Sequence, residues 1–293
     1  AGPAEAARLA AALATSGVGV AFDDPGRAAA LAPTLRLRRD HARRRAGRGF
    51  TDPVAECVVL YSGEADLWTQ GLHRAAVEEA GEALARAHFQ WTAAVSPAGL
   101  RPGTVLVLAH AAALSHPEAA AVARFLEAGG AVLTFGPMGR AGGAGRAPEP
   151  FLPEGKSSGL RIGDGTLVTL PPLVAPTSPG SPQGPALLEP ITRTVEMLRS
   201  PGRRAAEVTS GSAVQASLWR SPRRLDVHLA SFADGAVRDA TVFLSDEVAG
   251  TARRARFRSA DGADEKLALH PVRRSVSAVL PAFRGYAVLS LVP

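Results

Sequence analysis

Apolar positions along this chain come in two textures. Between residues 54 and 199, continuous apolar runs alternate with stretches in which apolar residues recur every three or four positions. The runs at 57–61, 105–108 and 131–135 predict buried strands, as in a parallel sheet covered by helices, and 89–93 a further strand. The stretch at 70–88 predicts a helix with Leu72, Ala76, Ala80, Leu84 and Ala87 on its inner stripe. Ser115-His116-Pro117-Glu118 has the form of a capping box: Ser at N-cap, Glu three residues on, and Pro in the first turn where its missing N–H costs nothing. Val122, Phe125 and Leu126 then face the sheet, and Gly129-Gly130 ends the helix. Residues 104–136 are thus strand, loop, helix and strand in one run, half of a doubly wound α/β domain.

The pattern loosens after that. Residues 62–66 read as the loop after the first strand, and 139–160, rich in Gly, Pro and Ala, as a mobile loop. Residues 160–170 read as a hairpin turning at Gly163-Asp164-Gly165, and 171–185 as an extended Pro- and Ser-rich stretch. A last helix at 186–199 places Leu187, Ile191, Val195 and Leu198 on one side. From Glu207 the texture changes to short alternating runs at 214–219, 225–232, 240–244, 255–258, 266–269, 276–280 and 286–291. Seven short strands with few helix signals predict an antiparallel β-sandwich. The alternation of Leu225-Asp226-Val227-His228-Leu229 puts Asp226 and His228 on one face. Ahead of the α/β region, 4–14 read as a helix, 17–22 as a strand and 34–46 as a basic helix. The expected division is 1–50, a βα remnant and basic linker; 51–204, the α/β domain; and 205–293, the sandwich.

Composition narrows the classes. With 293 residues and 46% hydrophobic content, the chain can bury a sizeable core. Arg so outnumbers Lys, present only as Lys156 and Lys266, that high-GC, bacterial coding is the simplest reading. The net charge of +6 is concentrated in Arg36, Arg38, Arg39, Arg43, Arg44, Arg45 and Arg48. No aromatic residue interleaves with these arginines, so nucleic acid has no stacking platform. A solvated helix face or docking onto an acidic protein surface fits them better. No apolar stretch approaches a membrane span, which leaves peripheral membrane association open. A processed Ala1 would imply a periplasmic or secreted protein, and otherwise a cytoplasmic one.

Candidate chemistry is sparse. The strand ends of the α/β region, where such domains carry their sites, read Ala109-His110-Ala111 and Phe135-Gly136-Pro137-Met138-Gly139. Met138 stands where a nucleophile elbow would need Ser or Cys. Cys57, the single cysteine, opens a buried strand and reads as an inert structural thiol. None of the seven histidines pairs at metal-ligand spacing, and no cofactor or metal is implied. The weak site candidates are Glu64 and Asp66 as paired loop acids, His110 at a strand end, and Trp68, which with Trp91 or Trp219 could stack on sugar. Gly142-Gly143-Ala144-Gly145 lacks the Lys-Ser/Thr of a phosphate loop.

The run 54–62, then Leu67-Trp68 and a long helix, resembles the opening of the trimerisation domain of family 42 β-galactosidases. Residues 114–136, with Phe125-Leu126-Glu127-Ala128-Gly129-Gly130, are similar to the same domain. Leu218-Trp219, 225–232 and Gly285-Tyr286-Ala287-Val288-Leu289 resemble the small β-sandwich that follows it, and 31–46 the linker leaving the catalytic barrel. The resemblance implies a flavodoxin-type, class I glutamine amidotransferase-like sheet that has lost its triad. The family's catalytic carboxylates lie in a (β/α)8 barrel of ~250 residues, for which this chain has no room. The expectation is a non-catalytic accessory or oligomerisation protein, with a protein partner or a homo-oligomer. Two alternatives stand beside it: the C-terminal fragment of a glycoside hydrolase, or a carbohydrate-binding module.

Overall fold

The computed structural model describes residues 32–34, 36–37, 52–100, 103–142, 146–150, 159–172, 183–199, 204–211, 214–221, 224–231 and 235–292. The chain divides into two compact units, Ala55–Gly202 and a second made of Ala1–Val54 with Arg203–Pro293.

The first unit is an α/β sheet. Its parallel strands are β2 (Cys57–Leu60), β3 (Trp91–Ala94), β4 (Val105–Ala109), β5 (Ala131–Phe135) and β9 (Gly165–Leu170), with β8 (Leu160–Ile162) antiparallel at one edge. Their spatial order is β3-β2-β4-β5-β9-β8. In chain order the five parallel strands run 2-1-3-4-5, the doubly wound flavodoxin arrangement. Every side chain of β2 and β4 is buried, which explains why those runs are continuously apolar.

Helices α1 (Gly63–Trp68), α2 (Leu72–Arg86), α3 (His116–Glu127) and α4 (Gln183–Leu198) complete the unit. One core combines Ala76, Val77, Ala80 and Leu84 of α2 with Ile191 and Val195 of α4, on one sheet face. The other packs Ala119, Val122 and Leu126 of α3 beneath Leu60, Leu106, Leu108 and Val132. The Ser115–Glu118 capping box forms as its spacing requires.

Three expectations are corrected here. Residues 62–66 are not loop: Ser62 is an N-cap, its hydroxyl accepting from the Ala65 N–H, and α1 starts at once. Leu72 is 51% exposed. The other four expected stripe residues, Ala76, Ala80, Leu84 and Ala87, are buried, and His73 and Val77 join them in place of Leu72. The segment after β5 is not simply loop either, since β6 (Arg140–Gly142) and β7 (Arg146–Glu149) pair as an antiparallel ribbon. The 160–170 hairpin forms, with Gly163 at φ +59 in its two-residue turn.

The second unit is a β-sandwich. A six-stranded antiparallel sheet runs β1 (Asp52–Pro53), β11 (Val214–Ser221), β12 (Arg224–Ser231), β18 (Tyr286–Val292), β14 (Arg254–Ser259) and β15 (Asp264–Ala268). The facing sheet is β10 (Ala206–Thr209), β13 (Thr241–Ser245), β17 (Ser275–Val279) and β16 (His270–Val272). All seven expected strands are present. The pattern missed β1, β10 and β16, each only two to four residues long, and the short helix α5 (Asp246–Ala249). Leu218, Val227, Leu229, Val242, Leu244, Phe257 and Leu289 fill the core. The Phe257 and Phe283 rings meet edge to face at 5.9 Å. Such a contact contributes about 1 kcal/mol beyond its buried area.

Asp226 and His228 share the face opposite that core, but water does not reach it. Asp226 is fully buried and accepts from Arg224 Nε at 2.8 Å and from Ser290 Oγ at 2.7 Å. His228 bonds the Tyr286 hydroxyl. Leu37, in the helical residues 36–37, packs on Tyr286 and Val288. The alternation therefore separates polar from apolar, not wet from dry. The expected helix at 4–14, the strand at 17–22 and most of the basic helix lie outside the described residues.

Candidate functional site

In a 2-1-3-4-5 sheet, ligands bind outside the carboxyl ends of the strands where the winding reverses. Here that point lies between β2 and β4, so the residues that matter are Tyr61-Ser62 and Ala109-His110, with whatever α1, α2 and α3 bring to them.

His73, in the first turn of α2, bridges the two strand ends. Its Nε2 accepts from the Ser62 main-chain N–H at 2.9 Å, and its Nδ1 contacts the Ala109 carbonyl at 2.8 Å. A carbonyl only accepts, so Nδ1 carries the proton and the tautomer is fixed. Burial lowers the His73 pKa below its ordinary value, which keeps the ring neutral. Tyr61 stacks on it, ring centroids 5.6 Å apart. Ser62 is fully buried, and its hydroxyl donates to Glu118 Oε2 at 2.8 Å. The same Glu118 oxygen accepts from the Ser115 N–H at 2.8 Å, so one carboxylate caps α3 and holds the end of β2.

Sequence explains how α1 turns into α2 above this bridge. Gln70 and Gly71 both have positive φ, +53 and +92, which makes the corner sharp. Thr69 Oγ1 accepts from the His73 N–H at 2.9 Å, and Asp66 Oδ1 from the Arg74 N–H at 3.0 Å. These two bonds satisfy first-turn donors of α2 that Gly71, with no side chain, cannot reach.

The candidate residues do not assemble into an active site. The second Asp66 oxygen accepts from Tyr61 Oη at 3.0 Å and Arg74 Nη2 at 2.7 Å. Those hydrogen bonds, that from the Arg74 side chain foremost, lower the Asp66 pKa. Glu64 is exposed on α1, whereas Asp66 is buried. His110 is half-buried, adopts φ +50 and donates its main-chain N–H to the Phe135 carbonyl at 2.8 Å. Burial lowers its pKa too. His73 faces the main-chain N–H of Ser62 and not its hydroxyl, so the pair is no nucleophile and base.

Met138 joins the core beside α3, and burial raises the Cys57 thiol pKa far out of reactive range. Of the tryptophans, Trp91 packs against Gly81, where any Cβ would strike its ring. Trp219 meets His228 edge-on, and Trp68 is 51% exposed. Arg36 is exposed; Arg38, Arg39, Arg43, Arg44, Arg45 and Arg48 lie outside the described residues. No group of three or more metal-ligating side chains occurs among the described residues. No helix among them is long and apolar enough to cross a membrane.

Sequence reasoning missed Ser62, His73 and Glu118 as a set. The available signal was a histidine three and four residues before Ala76 and Val77, on the helix's inner stripe.

No protein-family model and no curated protein matches the sequence. Solved structures share the fold. An α-L-fucosidase isoenzyme from Paenibacillus thiaminolyticus superposes with a TM-score of 0.52 at 12% identity, over 88% of this chain and 51% of its own. A catalytic mutant of a GH42 β-galactosidase from G. stearothermophilus gives 0.51 at 11%, over 88% and 43%. A β-galactosidase from Bacillus circulans sp. alkalophilus gives 0.50 at 12%, over 88% and 45%. The chain thus spans about half the length of these glycosidases. The portion it resembles holds the parallel α/β sheet and the antiparallel sandwich; no (β/α)8 barrel occurs among the described residues.

Proposed function

We propose that this chain is a non-catalytic structural module of a glycoside hydrolase-like assembly, acting through protein contacts rather than chemistry. One observation carries the reading: the polar side chains at the switch point of the sheet are bonded to the fold's own strand ends and helix starts. His73, Ser62, Glu118 and Asp66 direct their hydrogen bonds at the two strand ends and two helix starts. Groups so engaged hold the strand ends and helix starts in place. The fold shared with about half of a glycosidase chain supports the setting.

Trp68 is the feature that would favour a carbohydrate-binding module. Its apolar neighbours weigh against that. Leu67 at 84% and Leu72 at 51% exposure flank it, whereas sugar hydroxyls need placed donors and acceptors around a stacking ring. Leucines flanking a tryptophan suit a protein partner.

The test is hydrolysis of aryl β-galactosides and α-L-fucosides by the purified chain. Turnover at the buffer blank is expected. Turnover that disappears in Ser62→Ala or His73→Gln would overturn the reading.

A further inference from the structure

The two outer faces of the sandwich differ. On the four-stranded sheet, Glu207, Thr209 and Val279 point away from the core and are exposed. That is the ordinary state of an antiparallel sheet, with one face on the core and the other in water. The six-stranded sheet departs from it. Ser217, His228, Val288 and Arg258 form one row across β11, β12, β18 and β14, on the face opposite the core. None of the four is more than 9% exposed. In the next row Asp226 and Ser290, paired across β12 and β18, are fully buried. A sheet cannot hide its own outer face, so another part of the chain lies on this one.

The described residues show where that cover is attached. Leu37 packs on Tyr286 and Val288 of β18. Thr34, one helical turn earlier, is buried as well. The chain next meets the sheet at β1, whose Asp52 pairs with Arg220 at the edge of β11. The strand order is β1-β11-β12-β18, so the two attachment points are three strand spacings apart, roughly 14 Å. The direct line between them runs over β12 and β11, across His228 and Ser217. Residues 38–51 join the two points, and these fourteen residues span roughly 20 Å even at the short rise of a helix. They are long enough to lie across the buried face.

We infer that the outer face of the six-stranded sheet is a docking seat and that its occupant is this chain's own segment 38–51. The segment carries six of the seven clustered arginines, Arg38, Arg39, Arg43, Arg44, Arg45 and Arg48. Their role is then intramolecular: long arginine stems cover sheet surface while the guanidinium heads reach water at the rim. Seating comes from burial more than from charge. Asp226 already accepts from Arg224 and Ser290, and Arg258 in the neighbouring row is itself a cation. Leu37 anchors the start of the segment and β1 its end. The inference goes beyond the non-catalytic reading and does not depend on it.

Trypsin supplies the test, because it cuts after arginine. Brief digestion of the full native chain is followed by mass spectrometry of the cut sites, with circular dichroism as a check on folding. Positions 38–48 are expected to be spared. Leu37→Asp should raise cleavage there by on the order of tenfold or more, since losing a buried leucine contact favours the opened segment and proteolysis follows that opening. Leu67→Asp, at an exposed position on α1, should leave the rate unchanged. Where the segment lies is read by cross-linking, for which buried Cys57 leaves a quiet background. Arg44→Cys with Ser217→Cys should be joined by a short bis-maleimide. Arg44→Cys with Val279→Cys, on the opposite outer face, should not. Rapid cleavage within 38–48 in the wild type, cleavage that Leu37→Asp does not change, or cross-linking to position 279 in place of 217 would each overturn the proposal. Both readouts report packing and not turnover, so a measured hydrolase activity would remove the non-catalytic reading without touching this seat.

Discussion

His73 is the residue on which the reading of the site turns. It is completely buried, yet polar, because both ring nitrogens have partners that no apolar side chain could serve. His73→Ala would leave the Ser62 N–H and the Ala109 carbonyl buried and unpaired, at a cost of about 2–4 kcal/mol. Its pH dependence follows from the lowered pKa. The unfolded chain binds the proton more readily than the native one. The His73 contribution is therefore complete above pH ~6.5, is lost as pH falls below that, and levels off below the native pKa. Thermal melts at pH 8 and pH 5 should show a larger drop for wild type than for His73→Gln, whose amide can still donate and accept but does not titrate. Equal drops would contradict the assignment. Very little of this was legible in the sequence. Helical spacing offers either Leu72 or His73 to the inner stripe, and hydrophobicity alone selects the leucine. What selects the histidine is a bond across 36 residues to Ala109, which periodicity does not carry.

At the scale of elements, Glu118 joins two that the sequence treats separately. Its capping role on α3 was plain from Ser115 three residues earlier. Its second role, holding Ser62 at the end of β2, spans 56 residues and was not. Glu118→Ala should lower stability by about 2 kcal/mol, the sum of a lost cap and a lost buried hydrogen bond. The double variant with Ser62→Ala should cost less than the two single losses added together, as coupled residues do. Additive losses in urea denaturation would show that the two sites do not communicate. The same contrast separates elements read correctly from those missed. Long runs such as β4 and α3 announce themselves through burial on both faces or a cap. By contrast β1, β10 and β16 exist because a neighbouring strand offers its edge, and two to four residues are too few to show a period. At β16, Pro271 even argues against a strand, and an edge position accommodates it.

At the scale of the whole molecule, the doubly wound α/β class and the sandwich were the most legible features, because each depends on many residues at once. Four of the five parallel strands and all seven expected antiparallel ones stand where the texture of the sequence put them; the fifth parallel strand, β9, was read only as one arm of the 160–170 hairpin. The bonding of the strand-end side chains was visible in the sequence only as a lack of obvious chemistry; the structure shows that His73, Ser62 and Glu118 bond the strand ends. If the chain is non-catalytic as proposed, the strand ends of the sheet serve the fold and receive no ligand. Amide and imidazole NMR spectra of the intact chain, recorded while galactose, fucose and lactose are titrated to millimolar concentration, test it most directly. No resonance of Ser62, His73, His110 or Glu118 should move. Saturable shifts centred on those residues would show a ligand site there and overturn the non-catalytic proposal.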